Sequence, residues 1–160
     1  GYGGFNWSWN FFAITKKYHP GSGYDLGTIG YMTGYHAWAY PVGSADPVWF
    51  EGINGKNFTF LGAFINAAWD DNEDVIVKGY LDGNLIHTTT ITTHNNAPNW
   101  FDFNWWTVDK VEFLPQGHAI AIDNISHCDG NPPVAEPTTL LLLATGIVGL
   151  MGMKKRLLVK

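Results

Sequence analysis

Charge is scarce in this chain. Only 14% of its 160 residues are Asp, Glu, Lys or Arg, against about 25% in an average globular protein. Cysteine is nearly absent as well. Cys128 stands alone, so no disulfide can close within the chain. Without a CxxC partner it reads as an incidental residue near a domain end, not as a nucleophile. Helical periodicity is missing before residue 137. So are the compact signatures of common enzyme classes: there is no HExxH, GxSxG, P-loop or GxGxxG. Paired carboxylates for glycoside hydrolysis cannot be picked out by spacing in a chain of strands. The expectation is a protein that is not an enzyme. No initiator Met and no apolar leader stand before Gly1. An exported protein of this kind would have its signal peptide removed or lying outside this sequence, with an N-terminal segment missing from the body.

Rings and glycines are what the chain has in abundance. Aromatics make up 16%, with 8 Trp, and there are 19 Gly. Low charge by itself would fit a disordered chain, but so many large apolar rings need a packed interior. Short strands joined by Gly, Asn and Asp turns suit this mixture.

The few charges are unevenly placed. Lys154, Lys155, Arg156 and Lys160 are four of the nine basic residues. The remaining five face all 14 acidic residues, an acidic excess of nine before the tail. Such a body is repelled by phosphate backbones, which excludes nucleic acid as a partner. A basic cluster directly after an apolar run is a membrane signature.

Strand patterns fill residues 1–128. Phe5, Trp7 and Trp9 alternate with Asn6, Ser8 and Asn10, which predicts three rings on one face of an extended segment. Residues 28–40 are aromatic-rich and broken by Gly. In residues 57–69 the alternation slips near Leu61 and Gly62, as at a bulge. The clearest signal is a hairpin over residues 74–93, where Asp82-Gly83-Asn84 separates two β-branched runs. Strand patterns recur at 100–105, 108–114 and 118–126. This turn spacing predicts an all-β, two-sheet antiparallel sandwich of jelly-roll type.

Composition changes near residue 130. Asp129 to Pro137 form a Pro-rich linker, because Pro132, Pro133 and Pro137 remove donors and hold the backbone extended. An uncharged run, TTLLLLATGIVGLMGM, occupies residues 138–153, and a basic tail closes the chain at 154–160. Sixteen residues make a helix of about 24 Å, the lower limit for a hydrocarbon core of about 30 Å. Four consecutive leucines with no polar face predict a short transmembrane helix rather than a core helix. Lys154, Lys155 and Arg156 would stop it on the cytoplasmic side. Gly146, Gly149 and Gly152 recur along one ridge, which permits close helix contact or reflects the tolerance of membrane helices for Gly.

Ala135-Glu136-Pro137, the apolar run and the terminal KKR resemble the PEP-CTERM sorting tail of exopolysaccharide-producing Gram-negative bacteria. Ala135 stands where that motif has its first proline. The resemblance implies export, transient anchoring in the inner membrane, and cleavage near Glu136-Pro137 by an exosortase, a transpeptidase-like membrane enzyme. The mature protein would then reside at the cell surface or in the extracellular matrix. The body also carries a resemblance. GYGGFNWSWNFF, FINAAWDDNEDVIVKGYLDGNLIHTTT and HAIAIDNIS are similar to galactose-binding-like jelly rolls and carbohydrate-binding modules.

Candidate site residues are few. His19, His36, His87, His94, His118 and His127 form no local ligand pair and read as surface or strand-edge residues. Asp70 to Asp74 open like a calcium loop, but Val75 replaces the required Gly and Leu81 the twelfth-position Glu. The segment reads as a solvated hairpin tip. Asp123 interrupts the apolar run of the last strand, where an unpaired carboxylate is costly. Resemblance to the jelly rolls implies a structural calcium there. The alternative is a hydrogen bond from a turn amide, with no cofactor at all. Trp7, Trp9, Trp38, Trp100, Trp105 and Trp106 are available to stack on sugar rings, though most must fill the core. Adjacent Trp105 and Trp106 point to opposite faces in a strand, so one of them is expected to face outward.

Two functions fit these features. One is a structural or adhesive surface protein associated with extracellular polysaccharide. The other is a lectin-like carbohydrate-binding module with a defined glycan.

Overall fold

A computed structural model describes residues 3–14, 20–26, 36–39, 47–97 and 99–130. About two thirds of these are in strands. The first strands are β1 (Phe5–Trp7), β2 (Phe11–Ile14), β3 (His36–Ala39) and β4 (Val48–Gly52). One helical turn, α1 (Gly23–Leu26), precedes β3, and a 3-10 turn (Ile53–Gly55) follows β4. The longer strands come next: β5 (Phe58–Ala67), β6 (Glu73–Leu81), β7 (Asn84–Thr93), β8 (Trp100–Val108), β9 (Lys110–Pro115) and β10 (Ile120–Asp129).

The strands form two five-stranded antiparallel sheets. The first has the order β1-β4-β9-β6-β7 and the second β2-β3-β10-β5-β8. The predicted all-β sandwich is what the described residues form. From β4 onward the chain changes sheet at every connection except the β6–β7 hairpin. The Asp70–Asn72 segment is therefore a crossover between sheets, not the tip of a hairpin. Local sequence shows that a turn is present but not which sheet the next strand joins.

Inward rows from both sheets make one core. Val48 and Phe50 of β4, Val75 and Val77 of β6, and Val111 and Phe113 of β9 come from the first sheet. Phe58, Phe60 and Ile65 of β5, Phe103 and Trp105 of β8, and Ile120 and Ile122 of β10 come from the second. Phe60 lies at the centre, stacked on Phe103 at 4.7 Å and edge-on to Phe50 and Phe113 at 5.7 and 6.3 Å. Each such pair adds about 0.5–1.5 kcal/mol beyond its buried area. That is how a chain poor in charge and disulfides holds together.

The predicted hairpin is present. β6 pairs with β7, and the turn residues Asp82 and Gly83 have φ of 51° and 76°. Two successive positive φ values match the right-handed twist of the flanking strands, which is why Asp-Gly is found there. The predicted slip in β5 is also present. Phe58 and Phe60 face the core, then Ala63 and Ile65, and the register shifts on both flanks at Gly62.

The aromatic row at the start is shorter than predicted. Phe5 is in the core and Trp7 packs against it, but Trp9 is 72% exposed. β1 stops at Trp7 because Ser8 turns the chain. Its Oγ donates to Asn10 Oδ1 (2.6 Å) and accepts the Trp49 N–H (3.1 Å), and its carbonyl accepts the Phe11 N–H (3.1 Å). Side-chain hydrogen bonding by Ser and Asn competes with the ladder and ends it.

At the other end β10 stays paired through Asp129, one residue into the expected linker. Asp129 lies opposite Phe58 and holds Lys56 at 2.7 Å. Residues 131–137 of that linker, the apolar run 138–153 and the basic tail 154–160 lie outside the described residues. Among the described residues no helix is long and apolar enough to cross a membrane.

Candidate functional site

β8 is the outermost strand of the second sheet, and its side chains divide into two rows. Phe103 and Trp105 are buried, whereas Trp100, Asp102, Asn104 and Trp106 are exposed. Trp105 is 9% exposed and packs on Phe60, Phe103 and the ring of His87 (5.1 Å, interplanar 11°). Its faces are spent on the core, so it is not a stacking surface for a sugar. Trp106 is 45% exposed, the outward member that the alternation predicts.

Two irregularities bend this strand. Between Asp102 and Trp105, and again between Trp105 and Val108, β8 spends three residues where β5 spends two. Asn104 and Thr107 take φ of 51° and 56° within those steps. Each bulge adds local twist and re-aims the outward side chains.

The outward residue with the most defined seat is Trp100. Its indole Nε1–H donates to Asp102 Oδ1 at 2.8 Å, and its ring meets Phe64 edge-on at 5.1 Å. Beneath it lies Gly62, where a Cβ would come within 2.5 Å of the indole and 2.6 Å of the Phe101 carbonyl oxygen. Only glycine leaves room for a ring laid so close to the strand. Trp100 nevertheless remains 40% exposed. The product is a fixed, partly open indole with a carboxylate at its rim. Such a surface offers an apolar face for C–H groups and an acceptor for hydroxyls. The alternation in WFDFNWW contains the signal for it, because Trp100 and Trp106 share the polar row with Asp102 and Asn104.

Asp123 lies on β10, opposite Phe64. It is buried, and its Oδ1 accepts the N–H of Asn124 (2.8 Å), whose φ is 48° at a further register shift. That amide belongs to the next residue of the same strand. Among the described residues no group of three or more His, Cys, Asp or Glu is arranged to hold a metal ion.

A second polar cluster occupies the end of the sandwich where β5 crosses to β6. Asp70 Oδ2 pairs with His118 Nδ1 at 2.7 Å, and Asp71 Oδ1 with His94 Nδ1 at 2.8 Å. Beside them Glu73 is 6% exposed. Its Oε1 accepts the backbone N–H groups of Gly117 (3.2 Å) and His118 (2.6 Å), while Oε2 is buried without a hydrogen-bond partner. Burial raises the Glu73 pKa above 4.5, and the Asp70 charge adds to the rise. The two amides and His118 oppose it. Glu73 ties the β9–β10 connection to the start of β6, which is a structural task. The outer face of the first sheet holds another polar group, in which Glu112 accepts Tyr80 Oη (3.2 Å) and pairs with Lys78 (3.4 Å) and Lys110 (3.6 Å). That network satisfies itself.

The sorting residues Ala135, Glu136 and Pro137 and the stop residues Lys154, Lys155 and Arg156 lie outside the described residues. Cys128 is exposed and unbridged on β10. No family model and no curated protein matches the chain.

Proposed function

We propose that this chain is an exported, non-enzymatic surface protein that associates with extracellular polysaccharide. In this reading the jelly-roll-like body is delivered by a PEP-CTERM-type tail. The observation that carries it is the order of features at the C-terminal end: Glu136-Pro137, sixteen uncharged residues, then Lys154-Lys155-Arg156. An extended proline-bound segment presents itself to a processing enzyme as a strand. A short apolar helix holds that segment at the bilayer surface, and the basic stop fixes its direction. The exosortase-type transpeptidase is then the first partner, and the membrane is a transient one.

Mass spectrometry of the surface form tests this. In cells that contain the sorting enzyme, the mature C-terminus is expected near residues 134–138. A surface form that still ends at Lys160 would contradict it.

A lectin-like module is the second reading, and the seat of Trp100 favours it. Pyranose faces are apolar and stack on indole, and Asp102 at the rim supplies an acceptor. The same carboxylate, within an acidic body, repels uronate or sulfate chains. Neutral glycans are the class this surface fits, so retention on neutral but not on uronic-acid polysaccharide gels is expected.

A further inference from the structure

The sandwich has four sheet edges among the described residues. β1 has 3 residues, the described part of β2 has 4, and β8 is bent by two register shifts. Short or bulged edges are poor templates for another strand. The fourth edge, β7, differs. It has 10 residues and pairs only with β6. Its one irregularity is the extra residue Ile86 near its start; from His87 to Thr93 the pairing with β6 is regular. No charge, proline or glycine occurs between Asn84 and Thr93. Among the described residues, no strand pairs with the other side of this regular seven-residue backbone.

We propose that β7 is a self-association surface, where β7 of a second copy adds antiparallel across His87–Thr93 to make one continuous sheet. Residues that face each other in an antiparallel pair lie on the same side of the sheet. A two-fold axis at Thr90 sets Thr90 against Thr90 and Thr88 against Thr92 on the outer face. Threonine pairs of this kind are favourable. The charges of β6 are compatible with the same register. Asp74 lies beside Thr92 and Lys78 beside Thr88 on β6, so each cross-strand row carries Asp74 from one copy and Lys78 from the other. Elsewhere the acidic excess of the body opposes contact between copies. The uncharged edge is where two copies meet with least repulsion.

Sedimentation velocity of the full chain in non-ionic detergent, over a range of concentrations, tests the proposal. A reversible monomer–dimer equilibrium is expected. Thr90→Lys sets two ammonium groups face to face and is expected to raise the dissociation constant about tenfold or more. Asn57→Lys, the same charge change away from β7, leaves it unaltered. A second variant reads the register directly. Thr90→Cys combined with Cys128→Ser is expected to form a disulfide-linked dimer, because opposed Cα atoms lie within disulfide reach. A wild-type chain that stays monomeric overturns the proposal, as does a Thr90→Lys chain that dimerises like wild type or a Thr90→Cys chain that does not cross-link. Hydrogen exchange over residues 84–93 gives a further outcome. Protection that grows with concentration supports a second copy, whereas protection independent of concentration assigns the edge to a segment of the same chain and overturns it.

Discussion

β7 and β8 meet at one flank of the sandwich, each the last strand of its sheet, and they deal with that position in opposite ways. Both carry few charges, and each exposes one row while turning the other inward, half-buried along most of β7 and more deeply buried on β8. β8 is broken twice by bulges, so its outward Trp106 is re-aimed and its backbone is a poor template. β7 remains regular along most of its length and presents threonines. The same flank thus holds a side-chain surface on one sheet and a backbone surface on the other. Bulges, more than composition, decide which kind of surface an edge strand becomes.

The seam between the two strands is where the comparison breaks most readily. Trp105 is stacked on His87 of β7 and packed on Phe60 and Phe103. Trp105→Ala is expected to cost about 4 kcal/mol of folding stability, measured by denaturant unfolding, and to loosen both edges together. A cost below about 1 kcal/mol would mean that the two strands are independent. Next in size is Gly62→Val, which forces a side chain into the Trp100 indole and the Phe101 carbonyl. About 3 kcal/mol is expected, together with a change in Trp fluorescence as the ring leaves its seat.

Much of this was legible from local pattern. The β6–β7 turn follows from Asp82-Gly83, and the opposed faces of Trp105 and Trp106 follow from adjacency within a strand. The slip at Gly62 follows from broken alternation. What was not legible depends on contacts distant in sequence. Trp9 leaves its row because Ser8 meets the Trp49 amide, and Trp100 gains its seat from a glycine on another strand. The partition of strands between the sheets likewise has no local signature, and so Asp70–Asp74 reads as a hairpin tip when Asp70–Asn72 cross between sheets and Glu73 and Asp74 open β6.

A smaller, pH-dependent effect separates the flank from the end of the sandwich. The Glu73 carboxyl, raised by burial, is protonated more readily in the folded chain than in the unfolded one. Its contribution to stability therefore grows as pH falls through the folded pKa, and is complete below the ordinary value of 4.5. Glu73→Gln is expected to remove that component, so wild type should gain stability relative to the variant between neutral pH and 4.5. Parallel pH profiles for the two would contradict the assigned cause. The smallest effect is expected at the β7 edge. Thr90→Lys in the dilute monomer should change unfolding free energy by no more than about 0.5 kcal/mol, since Thr90 is exposed.

If β8 binds polysaccharide as proposed, its inner row builds the fold while its outer row, with Trp100, meets the glycan. Affinity electrophoresis through neutral polysaccharide gels, wild type against Trp100→Ala, tests it most directly. Retarded migration of wild type, lost in a variant that still unfolds cooperatively, is the predicted result. Equal migration of the two proteins in every gel would contradict it.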